Sequence, residues 1–147
     1  MLYFSYGSNL NWHQMLKIRC PEAKYVTRYN LSGYKFIFSN HDPVRIFGHA
    51  NIEKKRSSKV PGAIWEINKK NETILDEYEG VPNYYQKEYI QWKGQKTLIY
   101  IQNRFTKKKP SSDYFHTIIQ GYKDCNLNLI YLKKVISNYR INYKINW

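Results

Sequence analysis

Acidic residues are scarce in this chain: 11 Asp and Glu stand against 24 Lys and Arg, a formal net charge of +13 over 147 residues. A surface of that kind suits nucleic acid or an acidic substrate. The basic residues are scattered, however, and accompany an excess of Asn, Ile and Tyr that an A/T-biased genome produces without functional selection. The tight clusters, Lys54-Lys55-Arg56 and Lys107-Lys108-Lys109, lie in loop-like stretches and read as a solvated face. Cysteine is nearly absent: Cys20 and Cys125 match no disulfide or metal framework, which fits a reducing compartment. No apolar run approaches the roughly 20 residues of a membrane span. No basic leader is seen either, since Met1 runs straight into a strand-like segment. The expectation is one cytoplasmic globular domain over residues 1–147. It is apolar enough, at 42%, for a full hydrophobic core.

What is there begins at the N-terminus. Leu2 to Tyr6 is apolar and aromatic, the composition of a buried strand. It stops at Gly7-Ser8-Asn9, small residues that tolerate unusual backbone angles and leave amide N–H groups free for a ligand. From Leu10 the pattern turns helical, with Leu10, Trp12, Met15, Leu16 and Ile18 on one apolar side. Strand, small-residue turn and helix start gather backbone donors fit for a carboxylate or phosphate; a plain strand-to-helix turn is the equal alternative.

Further along, short strands alternate with few helices. Tyr25–Tyr29 and Tyr34–Phe38 read as strands around a turn at Asn30-Leu31-Ser32-Gly33. Ser39 to Phe47 reads as loop, Gly48–Ile52 as a short strand, Lys54–Lys59 as a basic loop and Ala63–Ile67 as a strand. Asn68 caps a helix with Ile74, Leu75 and Tyr78 as its buried stripe, and Gly80 with Pro82 ends it. Tyr85–Trp92 and Thr97–Ile101 form a hairpin around Gly94. Lys107–Ser112 is a polar loop, and helices follow at Tyr114–Tyr122 and Leu127–Tyr139.

One carboxylate stands out. Glu79 lies four residues beyond Leu75 and so shares the apolar side of its helix, whereas Asp76 and Glu77 face water. A partly desolvated Glu has a raised pKa, as a proton-shuttling base at neutral pH requires. An exposed Glu at a helix C-terminus is the competing reading.

Tyr6-Gly7-Ser8-Asn9 behind an N-terminal strand, with Leu75-Asp76-x-x-Glu79-Gly80-Val81-Pro82 downstream, resembles the gamma-glutamylcyclotransferase-like family. So do Arg19-Cys20-Pro21-Glu22-Ala23, Gly33-Tyr34, Gly48–Ile52, Gly62–Ile67, and Ser112-Asp113-Tyr114 followed by Ile119-x-Gly121. The similarity runs from Leu2 to about Leu127. It implies an α+β fold, a small mixed β-barrel with flanking helices. It also implies an enzyme that cleaves a gamma-glutamyl amide by attack of the substrate's own α-amine, releasing 5-oxoproline and a free amine or amino acid. By resemblance Glu79 is the proton acceptor, and Tyr3, Phe4, Ser5, Tyr6, Gly7, Ser8, Asn9, Tyr85 and Tyr114 bind substrate. No cofactor or metal is called for, and His13, His41, His49 and His116 have no ligand spacing. The expected partner is a small gamma-glutamyl compound, not nucleic acid or membrane, and the protein acts as a monomer or homodimer.

The chain departs from the family pattern at Gly121-Tyr122 and Leu127-Asn128. The short segment after Gly80 leaves open whether Tyr84 or Tyr85 takes the family's tyrosine position. Glutathione, gamma-glutamyl amino acids and gamma-glutamyl amines, a lysine side-chain adduct included, all remain open as substrates. A non-catalytic binding module on the same fold, using its basic surface for nucleic acid or an acidic partner, is the alternative function.

Overall fold

A computed structural model describes residues 1–147. Its centre is β1 (Leu2–Ser5), whose neighbours on both sides cover it with backbone hydrogen bonds and side chains. It pairs antiparallel with β3 (His49–Glu66) and parallel with β5 (Gln95–Ile101). β4 (Gln86–Trp92) continues the sheet beyond β5, while β2 (Lys24–Asn40) and the short β6 (Thr106–Lys107) continue it beyond β3. The order β4-β5-β1-β3-β2-β6 makes one mixed sheet, curled into a half-barrel with β4 and β6 as its edges. Phe4, Phe38, Trp65, Phe115 and Tyr122 are fully buried in the core that it wraps.

Two expected breaks are absent. Asn30-Leu31-Ser32-Gly33 is no turn but part of a strand of 17 residues, and Lys54–Lys59 is no free loop but part of one of 18. The two segments face each other: Ser32 pairs with Lys59 and Tyr34 with Lys54, so Lys55–Ser58 bulges opposite Gly33 alone. Within the bulge Ser57 turns to φ +66, and Gly33 opposite it stands at φ +86, an angle glycine adopts freely. Turn-type residues mark a place where the chain bends. Whether it also reverses depends on the partner strand, which the local sequence does not contain.

The first helix is also shorter than its apolar pattern. A 3₁₀ turn spans Ser8–Leu10, and after Trp12 the chain winds into a wide π-helix over Gln14–Arg19, closed by Cys20 N–H to Met15 C=O. Leu10 and Met15 are buried, whereas Trp12 and Ile18 are exposed. α1 (Lys69–Tyr78) starts where expected: Asn68 accepts from Asn71 N–H and donates its own N–H to the Asn71 side chain. Its buried side is Asn71, Glu72 and Leu75 rather than an Ile74–Tyr78 stripe, and Tyr78 is exposed. α2 (Ser112–Asp124) lies against the 3₁₀ turn, and α3 (Leu129–Ile136) against α2. No helix is long and apolar enough to cross a membrane.

Candidate active site

The chain leaves β1 through Tyr6-Gly7-Ser8-Asn9, and Ala50 of β3 comes so close that a Cβ on Gly7 would stand 2.6 Å from the Ala50 Cβ. Only glycine fits that approach. The turn's own backbone bonds run from Leu10 N–H to Gly7 C=O and from Asn11 N–H to Ser8 C=O. The amide N–H groups of Gly7, Ser8 and Asn9 have no acceptor among the turn and loop bonds, so they are available to a ligand.

α1 delivers Glu79 to the same place from the other side. Its backbone N–H still bonds Leu75 C=O, which makes it the C-terminal cap, and its side chain is 16% exposed. Asn9 Nδ2 donates to Glu79 Oε1 at 3.3 Å and to the Tyr3 hydroxyl at 2.9 Å. The orientation of that amide is set from behind, because Asn9 Oδ1 accepts from Arg19 Nη1 at 2.7 Å and Gln14 Nε2 at 3.1 Å. Glu79 Oε2 has no protein partner. Burial raises the Glu79 pKa to about 7, against the opposing pull of the Arg19 guanidinium, 3.9 Å away, and the Asn9 hydrogen bond. A carboxyl group so placed exchanges a proton near neutral pH.

The pocket is narrow, with a cavity volume of about 30 Å³. Tyr3, Phe4, Tyr6, Gly7, Ser8, Asn9, Tyr85 and Tyr114 of the expected residues line it together with Glu79. Ser5 does not: its hydroxyl accepts from Trp65 Nε1 at 2.9 Å, on the core side of β1. The Tyr85 hydroxyl donates to Ala50 C=O at 2.5 Å, while the Tyr114 hydroxyl accepts from Ala50 N–H at 2.9 Å. Tyr114 thus keeps its own O–H to give. Burial raises the pKa of Tyr3, Tyr6, Tyr85 and Tyr114, so all four are neutral phenols at physiological pH.

Several contributors were not foreseen. Tyr100 and Ala50 line the pocket. Arg19 and Gln14 hold Asn9, and the Arg19 guanidinium stacks over Tyr78 at 4.3 Å. The one available signal for Arg19 was its place in the Arg19–Ala23 segment. Tyr84 lies outside the inner pocket, with His49 Nδ1 2.5 Å from its hydroxyl, so Tyr85 is the tyrosine beside Glu79. His49, expected to be incidental, stands at the mouth of the site, and burial lowers its pKa. Asp76 is not free in water either: it bonds Lys87 Nζ at 3.0 Å and the Tyr100 hydroxyl at 2.7 Å.

Fold and site together define a curled-sheet protein with a largely buried, titratable carboxyl group in the wall of a small aromatic pocket. Comparison with known proteins points the same way. Residues 59–135 match the AIG2-like family. The gamma-glutamylcyclotransferase of Bos taurus is 31% identical over 153 residues, covering 97% of this chain and 81% of its own length. That of Homo sapiens is 29% identical over 144 residues, covering 91% of this chain and 76% of its own. A solved gamma-glutamyl cyclotransferase superposes with a TM-score of 0.80 at 28% identity, over 99% of this chain and 91% of that one. The chain belongs to the AIG2-like family, among the gamma-glutamylcyclotransferases.

Proposed function

We propose that this protein is a gamma-glutamylcyclotransferase in which Glu79 is the general base. The observation that carries the reading is the meeting of Glu79 and Asn9 at 3.3 Å, beside three amides without an acceptor at the turn. The substrate's α-ammonium must lose a proton before its nitrogen can attack. Glu79, titrating at about 7, takes that proton. The neutral amine then adds to the γ-carbonyl carbon, and the carbonyl oxygen becomes an oxyanion for the amides of Gly7, Ser8 and Asn9 and the Tyr114 O–H to hold. Glu79 gives that proton to the leaving nitrogen, the amide C–N bond breaks, and the ring nitrogen passes its second proton through Glu79 to the departing amine, so that 5-oxoproline and an ammonium leave. Nucleophile and electrophile belong to one molecule, so a pocket that keeps it folded supplies most of the proximity. The phenols of Tyr3, Phe4's neighbour Tyr6, and Tyr85 wall the glutamyl half.

Mass-spectrometric detection of 5-oxoproline from a panel of gamma-glutamyl compounds tests the reading. Release from at least one, abolished by Glu79→Gln, is expected; folded protein that releases none from any would overturn it.

We propose further that residues 1–147 act as one cytoplasmic unit, monomeric or homodimeric, without a nucleic-acid partner. Of the cations around the groove between β2, β6 and α3, Lys35 and Lys107 both pair with Glu53 at 3.2 Å. Binding to random DNA should be weak and vanish at physiological salt. A complex that persists there would favour the binding-module reading.

A further inference from the structure

The glutamyl pocket is the inner end of a longer trough. Through Ser8, Glu79 and Tyr85 it opens into a second cavity of about 200 Å³, walled by Arg19, Tyr78, Tyr84 and His49. That cavity shares Tyr84 and His49 with a third of about 890 Å³, whose outer wall is Val44, Ile46 and Phe47 from the loop between β2 and β3. These three side chains are 85%, 72% and 43% exposed. Three large apolar groups within four consecutive positions, held in water beside a pocket mouth, mark a surface that something apolar covers.

The geometry of the reaction says what. Once the glutamyl half lies against Tyr3, Tyr6 and Tyr100, the γ-carbonyl carbon faces Glu79 and the amide's other half extends outward along the trough. Four tyrosines, Tyr78, Tyr84, Tyr85 and Tyr114, wall it beside Ser8, Gln14 and Arg19. The Tyr84 hydroxyl is engaged with His49, whose ring packs edge-on against Tyr114 at 4.9 Å, so these two residues turn ring surface toward the trough. Charge narrows the choice. The carboxylates along the trough are Glu79, opposite Arg19, and Asp42, paired with Arg45 at 3.6 Å. No free carboxylate awaits a cationic side chain. Arg19, by contrast, has a hydrogen bond only at Nη1, and its buried Nε has no partner, so it retains positive charge for an anion next to the scissile bond.

We infer that the natural leaving group is an apolar or aromatic amino acid, its carboxylate toward Arg19 and its side chain along Tyr84, His49 and the Ile46–Phe47 arm. The inference rests on the cyclisation proposed above and concerns only what the amine carries.

The test compares kcat/KM of the full chain on gamma-glutamylphenylalanine, gamma-glutamylleucine, gamma-glutamylglycine and ε-(gamma-glutamyl)lysine, read as 5-oxoproline. An apolar group seated in a pocket discriminates by roughly 10-fold or more per methylene-sized step. The phenylalanine and leucine compounds should therefore exceed the glycine one at least about tenfold, with the lysine adduct slowest. In the double variant Ile46→Ser/Phe47→Ser, which alters only exposed side chains, the phenylalanine-to-glycine ratio should fall several-fold. Equal rates on all four compounds would overturn the inference while leaving the cyclisation standing. A ratio untouched by the double variant, or a variant that instead changes the oligomeric state, would show the arm to be an interface between copies and overturn it too. No 5-oxoproline from any of the four would overturn the inference, and the cyclisation falls with it if glutathione yields none either.

Discussion

Glu72 and Glu79 lie two turns apart at the two ends of α1, both largely shielded from water, with side chains 7% and 16% exposed. Their protons behave in opposite ways. Lys87 Nζ reaches Glu72 Oε2 at 2.6 Å and Asp76 Oδ2 at 3.0 Å, and Lys69 Nζ adds a contact to Glu72 Oε1 at 3.0 Å. The Lys87 hydrogen bond, more than any other influence, holds the Glu72 pKa below its ordinary value. Glu79 also has a cation nearby, but the short bond from Arg19 Nη1 goes to Asn9, and the carboxylate is left at 3.9 Å. Burial then dominates and raises its pKa to about 7. Both carboxylates are buried. What separates a lowered pKa from a raised one is whether the counter-charge donates directly or is diverted onto a neighbour.

The largest way to sharpen that contrast is Glu79→Gln, which keeps size and hydrogen-bonding reach but cannot accept the ammonium proton. Turnover should drop on the order of a hundredfold to ten-thousandfold. Stability should move the other way. Glu79 titrates at about 7 in the folded chain and near 4.5 in the unfolded one, so the folded state binds the extra proton between those values. Rising pH across that window destabilises the native protein, by up to about 3 kcal/mol above pH 7. Glu79→Gln should remove this slope and unfold at higher temperature than the native chain at pH 8. A variant less stable at pH 8 would contradict the assignment.

Next is Arg19→Met. Arg19 lowers the Glu79 pKa and orients Asn9, so its loss should carry the acidic limb of the kcat/KM profile above its native midpoint near pH 7. Arg19→Lys, retaining charge without the fork, should shift it less. A limb that stays in place in both would mean Arg19 only packs against Tyr78.

Lys87→Met tests the other carboxylate. It leaves Glu72 and Asp76 without their shared donor, at a cost of roughly 2 kcal/mol in denaturant unfolding at neutral pH. Because the folded Glu72 pKa is depressed, its stabilisation is present above the unfolded value and lost as pH falls through the folded one. The variant should lose that acid sensitivity while its catalytic pH midpoint holds. A displaced midpoint would join the two regions that the comparison separates. The smallest effect belongs to Glu77→Gln on the exposed side of α1, where stability should change by less than about 0.5 kcal/mol and turnover should be native.

Much of the site was legible in the residues. The strand ending in Tyr6-Gly7-Ser8-Asn9, the Asn68 cap and the inward side of Glu79 follow from strand composition, capping chemistry and the four-residue helical repeat. The hidden parts depend on remote partners. Ser5 looked like its neighbours until Trp65, sixty residues on, took its hydroxyl. Arg19 was one of 24 cations, and nothing local singles out the one that reaches Asn9.

By itself, then, the sequence determined the strand that leads into the turn, where α1 begins and ends, and that a carboxylate would turn inward there. Those outcomes depend on neighbours within a turn or two of chain. The long bulged hairpin, the choice of Tyr85 over Tyr84 as Glu79's neighbour, and the opposite pKa shifts of Glu72 and Glu79 were decided only by the tertiary structure. Each depends on distances across the curled sheet. Asn9 and Glu79, 70 residues apart in sequence, come within 3.3 Å only when β1 and α1 pack against one core. Desolvation and charge separation are properties of that packing, and no stretch of the chain carries them alone.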